Sequence, residues 1–462
     1  MTSINNPAKK TLRIAVEGCC HGELNKIYSQ LTQPIDLLII CGDFQAIRNA
    51  RDLDTINVPP KFRRIGDFQE YYKGKRTAPV LTIFIGGNHE ASSYMKELKY
   101  GGWVAPNIYY LGEFGSIWFK GLQIGGISGI FNRWTFEKNS LEDEILPYDD
   151  KSIRSIYHTT LKNFLKFYLM NHSLDIGLSH DWPAEIERKG DVKYLLKVKP
   201  FFKNDINNGA LGSPLNKFLL SYLRPRYWFS SHLHVRFTAS VRYDHEKIQE
   251  NNYKNDDEID LDMDDEDEVE EEQDDSKPFD FENQLNFDKS SNEKSMAHKR
   301  LRFAQDPIST EFLALDKCLP KRKCIEVLDI DVTPDHLNHP SVNYDGFVHS
   351  KRAIAINKVV ETYLQDEENV KHFKRLNSES IRHNPRRFTL VNELNELVEV
   401  ELNKLNQLSN DEFKVDSNDF KIIAPVYQSH ERIDDIPLKY WENNQTVDYC
   451  KKFNIPYKPL TT

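Results

Sequence analysis

Eight side chains suited to metal binding or proton transfer stand just after apolar, β-rich runs. Cys19 and His21 lie in "VEGCCHGEL" and Asp43 in "CGDF". Asn88 and His89 lie in "GGNHE", His180 in "LSHDWP", and His232 and His234 in "SSHLHV". Thiolate, imidazole, carboxylate and amide oxygens are the donors that hold divalent metals, and a histidine beside them can pass a proton. Read singly, each has a plainer meaning. An Asp after Gly is usually a turn residue, and an isolated histidine is usually a satisfied polar group. The Cys-Cys-His cluster alone admits a disulfide, a zinc finger, a core thiol or an enzyme metal site. On a strand, an H-x-H pair would put both rings on one face, because the side-chain period is two.

The elements that must position these groups are short. "TLRIAV", "IDLLIICGDF", "APVLTIFIGGNHE", "IYYLGE", "SIWFKGLQIGGISGIF", "LDIGLSHDWP" and "RYWFSSHLHVRFTASV" read as strands closed by Gly, Asp, Asn or Pro. "ELNKIYSQLTQ", "ASSYMKELKYG" and "YHTTLKNFLKFYLMNHS" carry helical spacing. The alternation predicts an α/β layered domain with its site at strand ends. Glycines beside Asp43 and Asn88 are expected to let the backbone turn sharply there.

Composition narrows the class. With 39% hydrophobic and 11% aromatic residues in 462, the chain is globular, with room for two or three domains. No apolar run approaches the roughly 18 residues of a membrane span, and the N-terminus lacks a signal-peptide pattern. The expectation is a soluble protein on the reducing side of membranes. Six scattered cysteines with no C-x-x-C pair argue against a disulfide framework and a zinc ribbon, and Cys20 and Cys41 read as small buried hydrophobes. The net charge of −10 is unevenly spread, since 15 of the 20 residues from Asp256 to Asp275 are acidic. Residues 1–242 carry 32 Lys+Arg against 23 Asp+Glu, a balance that suits a polyanionic partner. The expected organisation is a catalytic domain over 1–242, an acidic linker over 243–300, a smaller α+β domain over 301–440 and a tail over 441–462. "TEFLALDKCLPKRKCIEVLDI" reads as strand, turn and strand.

Taken in order, C-x-H, G-D, G-N-H-E, a single histidine and H-x-H resemble the calcineurin-like metallophosphoesterases. The resemblance implies a two-layer β-sandwich flanked by helices, with two metals at one edge. One metal would be held by Cys19, His21, Asp43 and His234, the other by Asp43, Asn88, His180 and His232. Asp43 would bridge, and His89 would face the substrate as proton donor. Two metals about 4 Å apart clamp a phosphate and make a water nucleophilic near neutral pH. Cys19 departs from the family's usual Asp; a soft thiolate favours zinc or ferrous iron over magnesium or manganese and puts full occupancy of both sites in question. Ser231 stands where Gly is common.

Within that superfamily, "GCCHGELNKIY", "IFIGGNHEASSYMKELKYGGWVAPNIYYLG", "SHDWP", "GALGSP" and "PRYWFSSHLHVRF" are similar to the RNA lariat debranching enzymes, as is "TEFLALDKCLPKRKCIEVLDI". The acidic linker and the last 60 or so residues carry little of the likeness. It implies hydrolysis of the 2′,5′-phosphodiester branch of excised lariat intron RNA, in mRNA processing and intron turnover. The expected cofactors are divalent metal ions, Fe(II) and/or Zn(II), with Mn(II) as a third choice. The insertion over 132–158 would be the recognition loop, with Tyr148, Arg154, Ser155, Tyr157 and His158 as RNA contacts; aromatics stack on unpaired bases and Arg pairs with phosphate. "NNGALGSP" is a second candidate RNA-contact loop. Lys61, Arg63, Arg64, Lys73, Lys75 and Arg76 are either further contacts or solvated charge. The expected partners are branched lariat RNA and splicing-associated proteins, with no membrane, in the nucleus and also the cytoplasm. The rival readings are a phosphoesterase with another phosphoester substrate and a non-catalytic RNA- or protein-binding scaffold.

Overall fold

Buried residues alternate between two faces along the first strands, and that alternation builds the layers. The computed structural model describes residues 10–141, 144–171, 174–243, 308–374, 386–430 and 432–460. The strands are β1 (Thr11–Glu17), β2 (Leu37–Ile40), β3 (Thr82–Phe84), β4 (Gly102–Ala105), β5 (Ile108–Tyr110), β6 (Phe114–Phe119), β7 (Leu122–Ile127), β8 (Ile176–Ser179), β9 (Tyr227–Ser230), β10 (Phe237–Arg242), β11 (Ser309–Ala314), β12 (Ile325–Asp331) and β13 (Phe347–His349). They form a six-stranded sheet, ordered β12-β1-β2-β3-β5-β4, and a seven-stranded sheet, ordered β10-β11-β9-β8-β7-β6-β13.

Ile14 and Val16, Leu37 and Ile39, and Ile83 face inward and meet Ile124, Ile176, Leu178 and Phe229 of the second sheet. Ala15, Leu38, Ile40 and Phe84 face outward under the helices Leu24–Ser29 and Ser92–Glu97. The outer face of the second sheet, through Phe114, Ile127 and Trp228, carries helices Leu161–Tyr168, Pro214–Leu223 and Lys351–Tyr363. Strands covered on both faces are apolar throughout, the mark of a parallel centre. The result is the expected two-layer sandwich flanked by helices.

Three local expectations change. "SIWFKGLQIGGISGIF" is a hairpin, β6 and β7, turned at Lys120 and Gly121, both with positive φ. "RYWFSSHLHVRFTASV" breaks into β9 and β10, and the H-x-H lies in the loop between them. "TEFLALDKCLPKRKCIEVLDI" is indeed strand, turn and strand, but its strands part company. β11 joins the second sheet beside β9 and β10, whereas β12 crosses the sandwich edge and pairs with all of β1, from Thr11↔Asp331 to Glu17↔Ile325. The C-terminal segment, expected as an α+β domain, thus completes both sheets.

The stretch expected as a tail is a docked helix, Asn444–Phe453, with Cys450 and Phe453 in the core. Gln445 bonds both the N–H and the C=O of Trp103 in β4, at 2.8 and 2.9 Å. The acidic run lies outside the described residues.

Candidate metal centre

The loops that leave β1, β2, β3, β8 and β9 meet at one edge of the sandwich. Backbone bonds zip the first two together, with His21 N–H donating to Asp43 O at 2.6 Å and Cys20 N–H to Gly42 O at 3.3 Å. His21, Asp43, His232 and His234 all have left-handed backbone, with φ between 47° and 58°. Such conformations are uncommon for residues other than glycine and cluster where a side chain must be aimed. The two histidines therefore reach the site by loop geometry rather than by strand alternation. Gly42, at φ 112°, takes the sharp turn that the sequence implied. Gly87 serves differently, as a Cβ there would lie 2.3 Å from Asp43 Oδ1.

Cys19, His21, Asp43 and His234 bring their ligand atoms within 4.8 Å of one another. His21 Nε2 lies 3.3 Å from His234 Nε2 and 3.6 Å from Asp43 Oδ2. A second group forms on the other oxygen of the same carboxylate. His180 Nε2 lies 3.4 Å from Asp43 Oδ1 and 3.2 Å from Asn88 Oδ1, and His232 Nδ1 lies 3.1 Å from that same amide oxygen. Asp43, 1% exposed, thus stands between the two groups. Cys20 turns away into the outer core, as expected.

The donor set needs a cation. Cys41 O lies 2.7 Å from His180 Nδ1, so that nitrogen carries the proton and donates it. The Nε2 lone pair of a neutral His180 then faces a carboxylate oxygen and an amide oxygen, neither of which can donate. Protonating the ring is disfavoured, because burial pushes His180 down against the pull of Asp43. Burial alone would raise the Asp43 carboxyl, but His180, His21 and His89 hold it well below its ordinary value. Burial and then Asp43 push the Cys19 thiol well up, so a bound cation is what would make it a thiolate. Buried acceptors converging from several sides fit divalent metal ions.

His89 sits beside this set. Its Nδ1 lies 2.8 Å from Asn57 O, its Nε2 3.2 Å from Asn88 Nδ2, and its backbone N–H donates to Asp43 Oδ1 at 2.9 Å.

Two family models match the chain, Calcineurin-like phosphoesterase over residues 12–236 and Lariat debranching enzyme, C-terminal domain, over 307–458. The lariat debranching enzyme of Saccharomyces cerevisiae is 43% identical over 73% of this chain and 81% of its own length. That of Schizosaccharomyces pombe is 42% identical over 72% and 76%. The Arabidopsis thaliana lariat debranching enzyme is 33% identical over 96% and 87%.

The chain belongs to the lariat debranching enzyme family.

It is an enzyme, and as a metallophosphoesterase it works with divalent metal ions. The second match runs to residue 458, so most of the last 60 residues, which carry little family signal by eye, belong to the debranching enzyme pattern.

The insertion divides. Tyr157 Oη accepts from Asn57 Nδ2 at 2.7 Å, which ties the insertion to the residue that holds His89. His158 packs edge-on against Tyr157, with its Nδ1 2.8 Å from Thr135 Oγ1. Burial holds His158 down at about 4, so its ring is neutral near pH 7. Arg154 is exposed beside Tyr157. Tyr148 instead pairs with Tyr440 Oη at 2.9 Å, and Ser155 bonds carbonyls of its own short helix; the structure brings neither to the metal groups. Of the scattered cations, Arg63 is tied to Asp54, Arg64 to Glu23, and Lys75 and Arg76 to Glu70.

Two residues escape a reading of the sequence. Asn57 acts through its carbonyl, which has no sequence signature. Glu90, the last letter of "GGNHE", is visible as part of the motif but shows no role there. Its carboxylate accepts from Phe44 N, Gln45 N and Gly87 N at 2.8, 2.8 and 3.0 Å, lashing together the loops that present Asp43 and Asn88. Burial and then the Asp43 charge push it up to about 7. Glu90→Ala should lower stability by about 1–3 kcal/mol for each N–H left unpaired, read from urea unfolding. It should also weaken metal retention by about 10–100-fold. Unchanged metal retention would mean that Glu90 does not position the ligands.

Proposed function

We propose that this chain hydrolyses the 2′,5′-phosphodiester at the branch of lariat RNA. One metal is assigned to Cys19, His21, Asp43 and His234, and a second to Asp43, Asn88, His180 and His232. The observation that carries the reading is the two faces of the Asp43 carboxylate, each met by imidazole, with His89 beside them. When bound, the metals supply Lewis acidity and a nucleophilic water at neutral pH.

The chain's own residues do the rest. In its charged form the His89 ring donates from both nitrogens. Nδ1–H stays on Asn57 O, which fixes the ring plane; Nε2, which in the neutral ring accepts from Asn88 Nδ2 at 3.2 Å, carries the proton for the departing 2′-oxygen. After the transfer the ring is neutral and still held. Tyr157, His158 and Arg154 are the candidates for contact with the branch nucleotide: Tyr157 is joined to His89 through Asn57, and Arg154 is exposed next to it. Tyr148 and Ser155 are assigned to holding the insertion in place.

The deciding experiment supplies the purified protein with Zn(II), Fe(II) or Mn(II) and a synthetic RNA carrying one 2′,5′ branch, with a linear 3′,5′ RNA alongside. Cleavage of the branch alone is expected. An intact branch with every metal would leave the metal centre in search of another phosphoester. The thiolate ligand favours Zn(II) or Fe(II), and Cys19→Asp tests this. The variant should move its preference toward Mn(II) by at least about tenfold, measured as rate against metal concentration; an unmoved preference would remove Cys19 from the ligand set. Introns are excised in the nucleus, so a lariat substrate supports a reading of the enzyme as nuclear, with access to splicing-associated proteins.

A further inference from the structure

The His21–His234 group has a cationic border of its own, away from the insertion's sequence. Lys317 forms a parallel bridge with Cys19, and its charge reaches both His21 and His234. It opens the loop between β11 and β12, which also carries Lys321, Arg322 and Lys323. A second basic stretch, over 188–203, lies next to it in space. Lys199 is within electrostatic reach of Asp316, Lys317 and Arg322, and its Nζ stands 5.8 Å from the Phe201 ring.

This second stretch is built to face outward. Helix Val192–Val198 buries Leu195, while Lys193 and Lys197, one turn apart, are exposed. Tyr194 is 42% exposed and Phe201 69%. Tyr194 also lies within electrostatic reach of Arg236, two residues beyond His234. Two acids on these stretches are engaged: Asp191 caps the helix by accepting from Tyr194 N at 2.9 Å, and Asp316 holds Arg322 at 3.2 Å. Among the described residues, Lys193, Lys197, Lys203, Lys321 and Lys323 have no ion-pair partner.

Single exposed apolar residues are ordinary. Here, however, unpaired cations and two open aromatic rings border one another and continue to a metal ligand. A polymer that offers a charge and a stacking face at every unit matches both features, and unpaired RNA is such a polymer.

We propose that the surface formed by 193–203 and 317–323 binds the unpaired RNA strand joined to the branch through its 5′-phosphate. The inference rests on the debranching reading. His89, Asn57 and Tyr157 take the side of the departing 2′-oxygen and hence the branch nucleotide. The strand on the other side of the phosphorus is left to the Lys317 border.

The test uses the whole 462-residue chain and two branched RNAs. One has a single nucleotide in each arm; in the other the 2′-linked arm is extended to about ten nucleotides. The wild type should cut the long-arm RNA with kcat/KM about tenfold higher or more. A variant with Lys193→Glu, Lys197→Glu and Phe201→Ala, all at exposed positions, should lose that gain and cut the minimal branch as before. Annealing a complementary strand to the arm should abolish the gain in the wild type.

Fluorescence anisotropy with an uncleavable long-arm RNA reads the surface without turnover. There the variant should bind more weakly, with a log-log salt slope shallower by about 0.7 for every phosphate it no longer neutralises. Equal binding by the two proteins would overturn the proposal, as would a gain produced by extending a different arm. An equal loss for a polyglutamate peptide would also overturn it, by making the surface a general acid-binding face. If the wild type fails to cut the minimal branch, the debranching reading fails while the anisotropy arm still judges the surface.

Discussion

Replacing His89 with alanine is expected to lower kcat on a branched RNA by about 10²–10⁴-fold while bound metal stays the same. The ring donates no side-chain bond to the ligand carboxylate; the contact with Asp43 Oδ1 comes from the His89 backbone N–H, which alanine keeps. What the variant loses is the Nε2 proton donor, with its ring held by Asn57 O. The loss should shrink with a substrate whose leaving group needs no proton, such as a nitrophenyl phosphodiester. A variant that loses as much on that substrate as on RNA would have lost something other than an acid. Metal analysis of the same sample separates loss of acid from loss of site.

Asp43→Asn carries the second large effect. One carboxylate oxygen faces His21 and the other His180, so the change touches both groups at once. The amide removes the negative charge and turns one acceptor into a donor. Charge stabilisation by metals is worth several kcal/mol, and each 1.36 kcal/mol is a decade in rate; the expected loss is therefore on the order of 10³-fold or more. Metal analysis after gel filtration should find both equivalents depleted. Asn88→Ala and His234→Ala, each facing one group, should deplete only one. An Asp43→Asn protein that keeps one full equivalent would make Asp43 a ligand of a single site.

The candidate donors are legible because strand ends in a parallel sheet are fixed by short apolar runs, and the donors follow those runs at once. "CGDF" and "GGNHE" show their glycines beside their ligands, and the structure uses each glycine, one for a turn and one for room. His232 and His234 are legible as candidate donors but not in their setting, since left-handed backbone at both leaves no local trace. The same limit hid the parting of β11 and β12. A Pro- and Lys-rich turn between two apolar runs looks like a hairpin, and only the edge of β1 decides that the second run crosses over. Tyr148 shows the converse. An aromatic in a loop that also carries arginines fits RNA by type, but the hydroxyl it meets belongs to Tyr440, 292 positions away. Long-range pairing is what a local reading lacks.

Arg242 pairs with Ser309, and Tyr243 N–H donates to Ile308 O at 2.9 Å. The chain therefore departs at 243 and returns at 308 to the same rung of one ladder. The ladder is closed at that rung by residues 242, 243, 308 and 309 themselves, and the segment from 243 to 308 joins its two strands. A protease cut there would sever the peptide but leave the ladders β10–β11, β11–β9, β12–β1 and β13–β6 intact. The two fragments would remain a single noncovalent body with its metal centre whole, whereas either fragment expressed alone would have open sheet edges where its counterpart belongs.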